Sequence, residues 1–125
     1  MYELTVCDEF AAAHYLRHYP GACERPHGHN WKVEVCVRAK ELNEIGVAID
    51  FKDLKRYLKE VLEELDHRDL NQHPAFQDQN PSSENIARYI FEKMSEKLAT
   101  HPVRLYRVTV CETERSCASF LADET

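Results

Sequence analysis

An α+β fold, an antiparallel sheet with two helices on one face, is what the pattern of this chain predicts. Apolar residues alternate near both ends of the sequence and recur at intervals of three and four in its middle. The resulting order is two strands, two helices, two strands, ββααββ. The 125 residues supply one core and leave no room for a second, so residues 1–125 are read as one domain.

Each element has a local cause. Tyr2, Leu4, Val6 and Phe10 occupy even positions, the period of a strand with one covered face, which runs on through Ala11, Ala12 and Ala13 to His14. Pro20 and Gly21 then mark a loop. A second strand from about His29 to Ala39 puts His29, Trp31, Val33, Val35 and Val37 on one face. Asn43, Glu44 and Gly46 form a turn before Asp50, which caps a helix carrying Phe51, Leu54, Leu58, Val61, Leu62 and Leu65. The polar stretch from Arg68 to Pro81 reads as irregular. Ser82 or Ser83 caps a second helix with Ile86, Tyr89, Ile90, Met94 and Leu98, and Glu84 favours the dipole at its first turn. Tyr106, Val108, Val110 and Glu112 share the face of a third strand, and Ser119, Phe120 and Leu121 return as a short fourth.

The charge balance narrows the function. With 22 acidic against 16 basic residues, the net charge of -6 gives no broad cationic surface for nucleic acid or anionic lipid, so a small molecule is the expected partner. No apolar run approaches membrane-spanning length and no leader pattern opens the chain, so a cytoplasmic protein is expected. The five cysteines are odd in number and contain no CxxC pair. Buried, reduced thiols are therefore the expectation for most of them.

The strongest chemical signal is His27-Gly28-His29, because i and i+2 side chains of an extended chain project to one face. His14, at the end of the neighbouring strand, would supply a third imidazole. Three protein ligands with an open fourth position is the pattern of a catalytic zinc. Cys23 is either a fourth ligand closing that site or a free thiol acting as base or nucleophile, and spacing does not separate the two. Asp66-His67 reads as a proton-transfer pair or as a polar helix end. Glu112 continues a covered face, where an unpaired carboxylate is costly, and is satisfied either by a ligand's N–H donors or by Arg115 at the sheet's edge.

These residues lie within six segments: Phe10 to His14, Cys23 to Asn30, Val47 to Phe51, Leu65 to Asn71, Asn80 to Ala87, and Val110 to Thr113. In that order they resemble the 6-pyruvoyl-tetrahydropterin synthase and 6-carboxy-tetrahydropterin synthase family, closest to the bacterial 6-carboxy branch. Pro26 departs from the family's usual leucine and Ser83 from its usual threonine; neither removes a ligand. The resemblance implies the tunnelling fold (T-fold), whose subunits close their sheets into a barrel and assemble as a homohexamer, a dimer of trimers. It implies that His14, His27 and His29 hold Zn2+, that Cys23 is the base, and that Asp66 and His67 move protons across a subunit interface. Glu112 would then anchor the pterin substrate. The implied reaction converts 7,8-dihydroneopterin triphosphate to 6-carboxy-5,6,7,8-tetrahydropterin, acetaldehyde and triphosphate on the route to queuosine. The alternatives are elimination to 6-pyruvoyl-tetrahydropterin, side-chain cleavage of dihydroneopterin, and a zinc-stabilised pterin-binding oligomer without turnover.

Overall fold

The computed structural model describes residues 1–20 and 25–123. Strands β1 (Tyr2–His14) and β2 (His27–Ala39) are followed by helix α1 (Phe51–Glu63) and a two-residue strand β3 (Arg68–Asp69). Two 3-10 turns (Leu70–Gln72 and Pro74–Phe76), helix α2 (Ser83–Leu98) and strands β4 (Arg104–Thr113) and β5 (Ser116–Leu121) complete the chain. The α+β class and the two-helix layer agree with the sequence pattern, with β3 added between the helices.

The sheet order is β3-β1-β2-β4-β5, with antiparallel pairing except between β1 and β3. This corrects the expected barrel. The sheet is open, with β3 and β5 as its two edges, because five strands of which one has only two residues cannot wrap until their edges meet.

Caps and apolar stripes fix the helices. The Asp50 carboxylate accepts from the Lys52 amide at 2.8 Å, and Leu54, Leu58, Val61 and Leu62 form the buried stripe of α1. Ser82, not Ser83, caps α2, accepting from the Asn85 amide at 3.2 Å, and Ile86, Ala87, Ile90, Met94 and Leu98 face inward. Both stripes meet Val6, Phe10, Trp31, Val33, Val35, Val108 and Val110 from one face of the sheet. Removing one of these large side chains, as in Leu58→Ala, leaves a cavity costing about 2 to 5 kcal/mol. Phe51 and Tyr2, read from the pattern as covered, are half exposed. At the turn after β2, Asn43 accepts from the amides of Ile45 and Val47, and Gly46 has φ +80°, a conformation that favours glycine.

Three cysteines depart from the expectation of buried, reduced thiols. Cys111 and Cys117 face each other across β4 and β5 and are joined by a disulfide, while Cys7 and Cys36 are free thiols, exposed and buried respectively.

Candidate metal centre

The register between β1 and β2 builds the centre. His14 pairs directly with His27 and Ala12 with His29, so two histidines alternating on β2 and one ending β1 share the core face at one end of the sheet. Their ring centroids lie 4.5 Å (His14 to His27), 5.4 Å (His14 to His29) and 4.8 Å (His27 to His29) apart. Trp31 forms the floor: it is fully buried, its ring meets those of His14 and His29 edge-on, and its Nε1 donates to the Ala12 carbonyl at 3.2 Å.

Hydrogen bonds at the far side of two rings set which nitrogen faces inward. A carbonyl can only accept, so Nδ1 of His14 donates to Pro81 O at 2.7 Å and Nδ1 of His27 donates to Arg25 O at 2.8 Å. That tautomer leaves each Nε2 with a free lone pair directed into the cluster. Among the described residues, the Nε2 atoms of His14 and His29 are buried side-chain nitrogens without a hydrogen-bond partner. Burial holds the His14 imidazole below its ordinary pKa; the Pro81 bond opposes this, His27 reinforces it, Glu112 opposes and His29 reinforces it. Inward-facing imidazole nitrogens of this kind are what a divalent cation requires.

Glu112 enters the same cluster. The β4–β5 register shifts between Cys111 and Thr113, leaving Glu112 as the extra residue of a bulge, the irregularity that re-aims a side chain. Its Oε1 lies 2.7 Å from His29 Nε2 and 3.8 Å from Nε2 of both His14 and His27. One ligand atom from each of His14, His27, His29 and Glu112 lies within 4.8 Å of the others, a set able to coordinate a divalent metal. The donor chemistry, three imidazoles and a carboxylate, fits zinc.

Asp66 and His67 stand apart from this set. The Asp66 carboxylate accepts from the Ala11 amide at 2.9 Å and lies 2.9 Å from His67 Nδ1, while the His67 amide donates to Ala11 O at 2.6 Å. The Ala11 bond is the main cause holding Asp66 below the usual carboxylate range. His67 adopts φ 57°, unusual for a residue with a Cβ, and its side chain is 82% exposed. The pair is therefore ordered and outward-facing. Cys23 lies outside the described residues.

No periodic pattern in the sequence marks Arg17, Asn71 or Asn80, yet the Asn71 and Asn80 side chains bind the backbone of Tyr15 and Arg17 just beyond His14, and the Arg17 guanidinium donates to the carbonyls of Asn71, Phe76 and Gln79. Asn71 and Asn80 fall within the family-like segments, and the Asn80-Pro81 step ahead of a capped helix was the available signal.

Residues 3–123 match the family model described as 6-pyruvoyl tetrahydropterin synthase. A 6-carboxy-5,6,7,8-tetrahydropterin synthase of Synechocystis is 38% identical over 118 residues, covering 90% of this chain and 88% of that protein. A 6-pyruvoyl tetrahydrobiopterin synthase of Poecilia reticulata is 34% identical over 128 residues, covering 90% and 85%. The solved structure of Caenorhabditis elegans 6-pyruvoyl tetrahydropterin synthase superposes with a TM-score of 0.85 at 29% identity, covering 98% of this chain and 96% of that one. Both synthase names occur at similar identity, so the likeness does not favour the 6-carboxy branch expected from the sequence.

Proposed function

The chain belongs to the 6-pyruvoyl tetrahydropterin synthase family, and from that membership we propose that it is a zinc-dependent enzyme acting on the side chain of 7,8-dihydroneopterin triphosphate. The observation that carries this reading is the inward convergence of the His14, His27 and His29 Nε2 atoms beside Glu112, within a family match that spans nearly the whole chain. His14, His27 and His29 would hold Zn2+. When bound, the ion supplies Lewis-acid polarisation of the oxygens next to the C–H bond that must break.

The chain's own residues do the rest. Glu112 accepts from the pterin N3–H and 2-amino group, a donor pair that a carboxylate matches. Cys23, as thiolate, removes a side-chain proton. Asp66 keeps the His67 imidazole oriented, and their outward placement suits delivery of a proton to a neighbouring subunit's site within a homohexamer. The product we assign is 6-pyruvoyl-tetrahydropterin, formed by elimination of triphosphate, because the family model and the solved structure carry that name.

The second reading is supported by the Synechocystis relative. In it, water is consumed and the side chain leaves as acetaldehyde and triphosphate, giving 6-carboxy-5,6,7,8-tetrahydropterin for queuosine-type deazapurines. No described helix is long and apolar enough to cross a membrane. Anaerobic incubation of the zinc-loaded protein with 7,8-dihydroneopterin triphosphate, with product mass and acetaldehyde measured separately, decides between the two reactions. A pyruvoyl product without acetaldehyde supports the first, stoichiometric acetaldehyde with the carboxy product supports the second, and recovery of unchanged substrate rejects both.

A further inference from the structure

We infer that Asn80 is a positioning residue for the metal ligand His14, holding the Pro81 carbonyl under the imidazole so that Nε2 faces the cluster. The inference rests on the metal reading of the three histidines and adds the part of the chain that orients one of them.

Past His14 the backbone of Tyr15 and Arg17 has lost its partner strand, yet both residues are paired on each side of the peptide. The Asn71 side chain accepts from Tyr15 N at 2.9 Å and donates to Tyr15 O at 3.1 Å. Two residues on, the Asn80 side chain accepts from Arg17 N at 2.9 Å and donates to Arg17 O at 3.1 Å. A carboxamide carries the same donor and acceptor as a peptide unit, so these two side chains continue the pairing of β1 on its β3 side, beyond the end of β3.

Asn80 differs from Asn71 in what its own backbone carries. Its successor Pro81 is buried and offers the carbonyl that accepts from His14 Nδ1 at 2.7 Å. Asn80 O accepts from Asn85 Nδ2 at 2.8 Å, tying the same segment to α2, whose first turn Ser82 caps. The Arg17 guanidinium donates to the carbonyls of Phe76, Gln79 and Asn71. The result is a closed ring of bonds from His14 to Pro81, through Asn80 to Arg17, and back along three residues of chain. The Asn80 side chain is the clamp that ties the segment carrying the Pro81 carbonyl directly to the end of β1, and so to a ring that is 2% exposed and has no other described hydrogen-bond partner. Partners that fix the tautomer of a ligating histidine govern metal affinity, and their loss weakens it about 10- to 100-fold.

The test uses the full-length protein and Asn80→Ala, with Asn80→Asp as a second variant that keeps the acceptor for Arg17 N and loses the donor to Arg17 O. Asn43→Ala is the control, because Asn43 makes comparable side-chain bonds in the turn after β2, at the other end of the sheet. Zinc affinity is measured by chelator competition, the cobalt-substituted protein by its visible absorption, and folding by thermal melting. The expected result is zinc affinity lowered at least tenfold with an altered cobalt spectrum in both Asn80 variants, and wild-type values of both in Asn43→Ala. Wild-type affinity and spectrum in folded Asn80→Ala would overturn the positioning role, as would an equal loss in Asn43→Ala. Should Asn80→Ala not fold, Asn80→Asp decides by the same criteria. Wild-type protein that binds neither metal rejects the metal reading itself, and the positioning role with it.

Discussion

The Oε1 atom of Glu112 lies 2.7 Å from Nε2 of His29, and this approach lacks the alignment of a hydrogen bond. A carboxylate oxygen and an imidazole lone pair brought this close without a shared proton repel each other. Something positive relieves that conflict, either a proton on the ring or a cation among the four ligand atoms. The contact therefore joins the metal reading of the histidines to the substrate reading of Glu112.

Glu112→Gln separates those readings. The three imidazoles suffice for a catalytic-type site, so zinc content of the variant is expected to remain near one per chain. Pterin affinity is expected to fall, because the amide turns a donor toward the donors of the ring; such a mismatch costs about 1 to 3 kcal/mol. Elemental analysis and titration with a pterin analogue measure the two effects. Loss of zinc with unchanged pterin affinity would make Glu112 a fourth ligand instead of an anchor.

Acid should weaken the metal-free protein in a window set by two imidazoles that burial holds below their ordinary value, His73 and, in the cluster, His14. Burial places the folded pKa of each below the ordinary 6.5, so between these values the unfolded chain binds more protons than the native one. Each neutral ring's contribution is complete above 6.5 and is lost as the pH falls through the depressed folded value. Asp66, held below its ordinary 3.8 chiefly by the Ala11 amide, contributes in the same direction but only in stronger acid. Urea midpoints at pH 7.5, 6.5 and 5.5 should decline, and His14→Gln should flatten the slope in part. Equal slopes in the two proteins would deny the assignment to His14.

Much of this architecture is legible in the sequence, and the exceptions share a cause. The two-residue period of β2 and the stripes of both helices are local patterns, so His27 and His29 declare their common face without any partner. His14 joins them only through the β1–β2 register, which the intervening loop does not disclose. Glu112 follows the period of Val108 and Val110 onto the covered face, but its meeting with the histidines depends on the pairing of β2 with β4, which no local pattern discloses. β3 has two polar residues and no period at all. The disulfide is hidden for a similar reason: Ser116, Cys117 and Ala118 lack an apolar pattern, so the pattern starts the last strand at Ser119 and gives Cys117 no strand opposite, whereas β5 begins at Ser116 and pairs Cys117 with Cys111. Sheet closure was inherited from a resemblance, and the open edges at β3 and β5 correct it.

The Cys111–Cys117 bond closes a loop with a sequence separation of 6, small enough that the chain-entropy gain is modest, about 2 kcal/mol. Treatment with a dithiol reductant, or Cys117→Ser, should lower the urea midpoint by a corresponding amount, and the reductant should leave Cys117→Ser unchanged. Identical midpoints for oxidised and reduced wild type would show that the link adds no stability.

Cys23 supplies the decisive test of turnover against binding. If His14, His27 and His29 complete the protein's share of the metal site, the thiol is free for proton transfer, and Cys23→Ala should retain zinc and melt as the wild type does. Its turnover of 7,8-dihydroneopterin triphosphate should fall about 100- to 10,000-fold, the usual contribution of a positioned acid or base. His27→Ala provides the contrast, since it removes a ligand and should lose zinc and turnover together. Should Cys23→Ala also lose its zinc, the thiol is a ligand and the site is closed, which favours a structural metal. Should it keep both zinc and full turnover, another group is the base, and the outward-facing Asp66–His67 pair becomes the next to replace.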